Sequence, residues 1–309
     1  MNNIIETMDL TKKYGEKRAL DNVSIHVAQG DIYGLVGRNG AGKTTLMKII
    51  CGLATQSSGD FSIFGRKGSK IGEIASRRGM LIESPGYYGE YDAKMNLRIK
   101  CRLAGISDKE EPDRLLELVG LSGVGKKKVK NYSLGMKQRL GITMALVGNP
   151  DIVVLDEPIN GLDPQGIVEV RDLITRQNRE HGTTFIISSH ILDELSKTAT
   201  RYGIINEGRL IEECSVDELN SKCESKIELV VDSASAAVAV LEKIGFSQIK
   251  VMDEQDSEGH DRIFIYEQFD RTGDITLALA SEGITTYEIV KQTGSVESYY
   301  LKLVGKEQE

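Results

Sequence analysis

The run Gly37-Arg38-Asn39-Gly40-Ala41-Gly42-Lys43-Thr44-Thr45 constrains this chain more than any other segment. It satisfies the pattern GxxxxGK[ST], and it stands between an apolar strand expected at Asp31 to Val36 and an amphipathic helix expected from about Lys43 to Leu53. Strand, glycine loop and helix in that order open an α/β unit. The glycines let backbone N–H groups turn inward as an anion nest at the positive end of the helix. Lys43 is then placed to reach the β- and γ-phosphates of a nucleotide, and the Thr44 hydroxyl to ligate magnesium. An ordinary glycine turn before a helix is the competing reading.

A second constellation follows a buried strand. Ile152-Val153-Val154-Leu155 runs into Asp156-Glu157, which puts two carboxylates where a parallel α/β sheet holds its ligands. Asp156 there would hold magnesium, usually through water, and Glu157 would polarise the water that attacks a γ-phosphate. Alone, a strand ending in Asp-Glu reads equally well as loop-capping acids; the glycine loop favours the chemical reading.

The organisation is that of two domains, as a length of 309 residues suggests. Strands are expected at Ile4 to Asp9, Val23 to Val27, Gly79 to Glu83 and Thr184 to Ser188 besides those above. A helical region occupies about 84–150, a helix Gly166 to Glu180, and a hairpin Tyr202 to Glu212. After a polar stretch, Ser215 to Ser225, the pattern becomes β-α-β-β-α-β: Ile227 to Val231, Ala234 to Ile244, Ile249 to Met252, Ile263 to Tyr266, Thr272 to Glu282 and Thr285 to Val290. A ferredoxin-like domain over 221–309, with a terminal helix at Val296 to Leu303, is expected to follow a main domain over 1–220.

Charge and apolar runs exclude several classes. From Glu224 onward there are 8 Lys and Arg against 17 Asp and Glu, so the tail lacks the positive surface that nucleic acid requires. The longest apolar runs fall well short of the roughly 20 residues of a membrane-spanning helix. Met1 to Lys12 does not have the pattern of a signal peptide, which predicts a cytoplasmic protein. Cys51, Cys101, Cys214 and Cys223 are scattered and form neither a zinc pattern nor a disulfide framework.

A third motif makes the reading specific. Tyr132-Ser133-Leu134-Gly135-Met136-Lys137-Gln138-Arg139 resembles the signature motif of the ATP-binding-cassette (ABC) family, and it stands shortly before the Asp156-Glu157 strand. The resemblance covers about residues 4–215. It implies a P-loop ATPase domain with a RecA-like core, an antiparallel β subdomain and a helical subdomain, using ATP and Mg2+. It also implies a homodimer or heterodimer in which ATP lies between the glycine loop of one domain and the signature of the other. Ser133 and Gly135 would then contact the γ-phosphate across the dimer, although Ser133 also reads as a plain helix N-cap. Tyr14 resembles the aromatic that stacks on adenine, and His190 the switch histidine at the γ-phosphate. Asn160-Gly161-Leu162-Asp163 resembles the loop that couples the two sites, and is also a good turn sequence.

Two positions depart from the family pattern. Glu83 stands where many members have Gln, so that it can still bind magnesium or orient water. Leu134 occupies what is commonly a glycine of the signature. These departures and the added tail resemble the bacitracin-type and lantibiotic self-protection exporters. The resemblance implies the ATPase subunit of an exporter of antimicrobial peptide or drug-like cargo, held on the inner face of the cell membrane by separate permease subunits. Tyr87, Tyr88 and Tyr91 fit either the permease contact or half-buried loop positions. An ABC ATPase of another transporter class, or one acting on ribosomes or DNA, is the alternative. One glycine loop, and only 90 residues between Lys43 and Ser133, argue against the latter.

Overall fold

The computed structural model describes residues 3–305 apart from 224, 254, 256–258, 293 and 295; the outer limits expected for the two domains, residues 1 and 309, lie outside them. The chain divides into two units, Met1–Val216 and Asp217–Glu309. In the first, β1 (Asn3–Tyr14), β2 (Lys17–Val23), β3 (His26–Ala28) and β4 (Ile32–Val36) precede α1 (Lys43–Ile50), β5 (Ser58–Ile63) and β6 (Arg66–Lys67). Then come β7 (Arg78–Leu81), α2 (Ala93–Leu103), α3 (Glu111–Leu118), α4 (Leu134–Ala145), β8 (Ile152–Leu155) and α5 (Pro164–His181). β9 (Thr184–Ser189), α6 (Leu192–Ser196), β10 (Arg201–Asn206) and β11 (Arg209–Ser215) complete it.

Six strands form the central sheet in the order β11-β10-β4-β9-β8-β7. Every residue of β4, β8 and β9 is buried, as befits parallel strands covered on both faces, and this is why they read as unbroken apolar runs. Registers of Val36 with Ser189, Leu155 with Ile187, and Leu81 with Leu155 align the C-terminal ends of these strands. The Gly37 loop, Asp156-Glu157, His190 and the segment reaching Glu83 therefore leave the sheet at one edge. Leu46, Met47, Ile49 and Ile50 of α1 pack into the same core as Leu35, Val154 and Ile186. Each such fully buried side chain contributes about 1.5–3 kcal/mol.

The second sheet is antiparallel, in the order β2-β1-β5-β6, with β3 also on β1. It differs from the sequence expectation in three ways. Val23 to Val27 is two strands broken at Ser24-Ile25; Lys17–Val23 is a strand; and Ser58–Ile63 is another. These strands are short, and half of β5 is exposed, so neither alternation nor an apolar run marks them. In the region about 84–150, α4 is N-capped by Ser133, whose side chain accepts a hydrogen bond from Met136 N.

The second unit contains α7 (Val216–Lys222), which begins at the division, then β12 (Lys226–Val231), α8 (Ala234–Lys243), β13 (Ile249–Val251), β14 (Asp261–Ile265), α9 (Thr272–Ser281), β15 (Thr286–Gln292) and α10 (Val296–Gly305). Its sheet runs β13-β14-β12-β15, with each pairing antiparallel. Ile227, Leu229, Val231, Ile263 and Ile265 on one face of the sheet share a core with Ala237 and Leu241 of α8 and Ile275 and Leu279 of α9.

Candidate nucleotide site

The glycine loop is shaped by backbone demands that only glycine meets. Gly40 and Gly42 have φ of 84° and 112°, which L side chains rarely adopt. A Cβ on Gly42 would also come within 2.6 Å of Ala19 O, and one on Gly37 within 2.4 Å of Ile205 O. The loop thus leads into the N-terminus of α1, whose first residues are Lys43 and Thr44.

Lys43 is 5% exposed. Its ammonium donates to Gly37 O at 2.6 Å and Arg38 O at 3.3 Å, and lies 3.2 Å from Glu157 Oε1. The cation is folded back over its own loop. Thr44 Oγ1 donates to Asp156 Oδ2 at 2.8 Å, and Ser188 Oγ donates to Asp156 Oδ1 at 2.6 Å. A hydroxyl and a carboxylate side by side are hard oxygen donors of the kind magnesium takes, so these residues fit that ion.

Glu157 has a φ of 48°, a strained conformation for a residue with a side chain. Its N–H donates to Ser188 Oγ at 2.8 Å, which secures the turn. Its Oε2 lies 2.8 Å from His190 Nδ1. Because the partner is a carboxylate, Nδ1 carries the proton. Lys43, Glu157 and His190 form a continuous line at the sheet edge.

A cleft of about 300 Å³ opens over the loop, lined by Tyr14, Lys17, Ala19, Asn39, Lys43 and Glu157 among others. Tyr14 is 51% exposed at the end of β1, with Lys12 Nζ 4.9 Å from its ring centroid. Arg38, Gly40, Gly42, Thr44 and Thr45 also line the cleft. Ala41 is buried beneath it and accepts from Gly208 N.

Gly37, Asp156 and His190 do not line the cleft but bond to Lys43, Thr44 and Glu157, which do; Ser133, Gly135 and Glu83 are also outside the lining. Ser133 and Gly135 lie at the start of α4. Glu83, with a φ of 64°, is bonded to Lys48 of α1 at 2.6 Å. The Glu83 carboxylate holds the Lys48 ammonium above its ordinary pKa. Two contributors escape the motifs. Ser188 braces both Asp156 and Glu157, and only its place beside His190 at a strand end hinted at it. Lys48 is invisible as a partner of Glu83 because 35 residues separate them.

Residues 20–160 match the ABC transporter family. The chain is 41% identical to the bacitracin transport ATP-binding protein BcrA of Bacillus licheniformis, over 99% of this chain and 98% of that protein. It is also 41% identical to the lantibiotic transport ATP-binding protein SrtF of Streptococcus pyogenes, over 69% of this chain and 92% of that one. Among solved structures, an ATP-binding subunit of an ABC transporter superposes with a TM-score of 0.64 and 28% identity, covering 71% of this chain and 92% of that chain. A dimeric ATP-binding cassette bound to ADP and Pi superposes with a TM-score of 0.63 over 69% of this chain and 98% of its own, and at 23% identity shares the fold.

Proposed function

Because the chain belongs to the family of ABC transporter ATP-binding proteins, we propose that its ATPase works between two such chains and drives the export of an antimicrobial peptide or drug-like compound. The chain is the ATP-binding and ATP-hydrolysing subunit of a transporter. The convergence of Lys43, Asp156, Glu157 and His190 on one sheet edge carries the assignment of the site. Near-full-length likeness to a bacitracin transport protein supports the cargo.

In this reading the loop amides and Lys43 hold the β- and γ-phosphates, the Lys43 ammonium exchanging its carbonyl partners for phosphate oxygens. Tyr14, half exposed beside the cleft, offers a flat face to adenine. Thr44 and Asp156 would hold magnesium, which supplies charge neutralisation at the phosphates. Glu157 orients and polarises the attacking water, and His190 holds that carboxylate through Nδ1. Ser133 and Gly135, outside the cleft lining, complete the site of a second chain packed head to tail. Differential affinity of the closed and open pair for ATP then moves the membrane partner.

Among the described residues, no helix is long and apolar enough to cross a membrane. In this reading separate permease subunits provide the path. A groove lined by Leu53, Met80, Ile82, Tyr88, Leu103 and Met144 fits their docking. Tyr88 and Tyr91, ring centroids 6.0 Å apart and about half exposed, stand in the same region. This contact would hold the chain on the inner face of the cell membrane. We also assign the C-terminal unit, from its strand order, to the ferredoxin-like class.

Affinity purification of tagged Glu157→Gln from detergent-solubilised native membranes, with ATP and magnesium, tests the reading. A multi-span membrane protein in stoichiometric amount is the expected companion. Ribosomes, nucleic acid or only soluble proteins would overturn the choice of machine.

A further inference from the structure

Leu134 breaks the signature pattern, and its surroundings say what it does. It is the first residue of α4 and is 54% exposed. A Cβ placed on Gly161 would come within 3.0 Å of Leu134 Cδ2, so this side chain lies directly against the Gly161 backbone. Leu162 in turn faces Gly135, since a Cβ built there would stand 3.8 Å from Leu162 Cδ2. The two segments thus face each other, with Leu134 close against Gly161 and Leu162 on the side of Gly135. Gly161 has a φ of 72°, a backbone conformation that favours glycine.

The loop so clasped is bonded to Glu157. Asn160 N donates to Glu157 O at 3.2 Å, Leu162 N donates to Ile159 O at 3.3 Å, and Asp163 caps α5 by accepting from Gly166 N at 3.1 Å. Glu157 has a strained main chain, and a strained conformation persists only where its surroundings over-determine it.

The geometry points to Leu134 as a positioning residue: its side chain clasps Gly161, tying the start of α4 to the loop 160–163 and, through Asn160, to the main chain of Glu157. A displacement of the signature segment is thereby felt at the carboxylate of the same chain. With glycine at 134 the two segments would lack this link. The inference rests on the ATPase reading for its consequence, but the clasp itself is independent of it.

The test is amide hydrogen exchange on the full chain, comparing the parent with Leu134→Ala and Leu134→Met. Alanine removes the clasp without weakening the helix start, because it is the best helix former. In Leu134→Ala, exchange in peptides spanning 157–163 should rise about tenfold while the β8 core stays protected, and Leu134→Met should restore protection. In parallel, kcat of ATP hydrolysis should fall about tenfold with KM within about twofold, again recovered by methionine. Unchanged exchange in the 157–163 peptides, or a loss spread over the whole unit, overturns the clasp. Changed exchange in a parent that hydrolyses no ATP would leave the clasp standing and overturn the ATPase reading instead.

Discussion

His190 Nδ1 stands 2.8 Å from Glu157 Oε2, while Lys43 approaches the other oxygen of the same carboxylate at 3.2 Å. One carboxylate is thus shared between a proton donor just past the end of β9 and the cation of the glycine loop. In the proposed function, nucleotide would draw Lys43 away toward phosphate and leave Glu157 to its histidine and to water.

Glu157→Gln keeps the shape of this line and removes its charge. ATP binding should persist and even tighten, because Lys43 no longer has an anionic competitor. Hydrolysis should fall by at least about 100-fold, and the protein should accumulate as a dimer with ATP. Equilibrium nucleotide binding, phosphate release and sedimentation measure the three outcomes. Phosphate release near the parent rate would show that Glu157 does not activate the attacking water.

Lys43→Ala acts on the other side of the pair. It deletes the cation that the loop carbonyls of Gly37 and Arg38 hold in place, so ATP affinity should drop by about 100-fold or more. Titration with a fluorescent ATP analogue reads this directly. A Kd close to that of the parent would show that the loop amides suffice without Lys43.

Gly42→Ala tests the loop's backbone. The added Cβ meets Ala19 O at 2.6 Å in a backbone of φ 112°. A loss of roughly 1–3 kcal/mol of stability is expected, together with lost nucleotide binding. Denaturant unfolding of the variant, followed by ATP titration, checks both; an unchanged midpoint would mean the loop relaxes at little cost.

The C-terminal unit should be acid-sensitive through Glu267. Backbone N–H groups of Ser247 and Gln248 draw its carboxyl down from 4.5 to about 2. A lowered folded-state pKa contributes stability that is present above pH 4.5 and is lost as pH falls toward about 2. Glu267→Gln should therefore lower the unfolding midpoint at neutral pH and match the parent near pH 2. Parallel melting curves at about pH 7 and about pH 2 decide it; an equal difference at both values would rule out the carboxylate as its source.

The catalytic strands and loops were legible because each feature is local. The glycine loop announces itself by spacing, since backbone amides, Lys43 and Thr44 act over one helical turn. Asp156-Glu157 and His190 sit at the ends of short apolar runs, and burial on both sheet faces makes those runs unbroken. The antiparallel strands Lys17–Val23 and Ser58–Ile63 were not legible. Lys17–Val23 pairs with β1 across a short turn and Ser58–Ile63 pairs with it from a distant part of the chain, and neither strand, being only partly buried, carries a consistent period.

Local sequence carried the chemistry on offer: a glycine loop, two strand-end acids, a strand-end histidine, a signature-like segment and a second, α+β unit. Which of these groups meet became visible only in the folded chain. Parallel registers bring Lys43, Glu157 and His190 to one edge, Ser188 braces the acids, Lys48 takes Glu83, and Leu134 settles on Gly161. The physical reason is that motif chemistry lives in neighbouring residues, whereas contacts between side chains more than a hundred residues apart, such as Thr44 and Asp156, exist only once the sheet has closed.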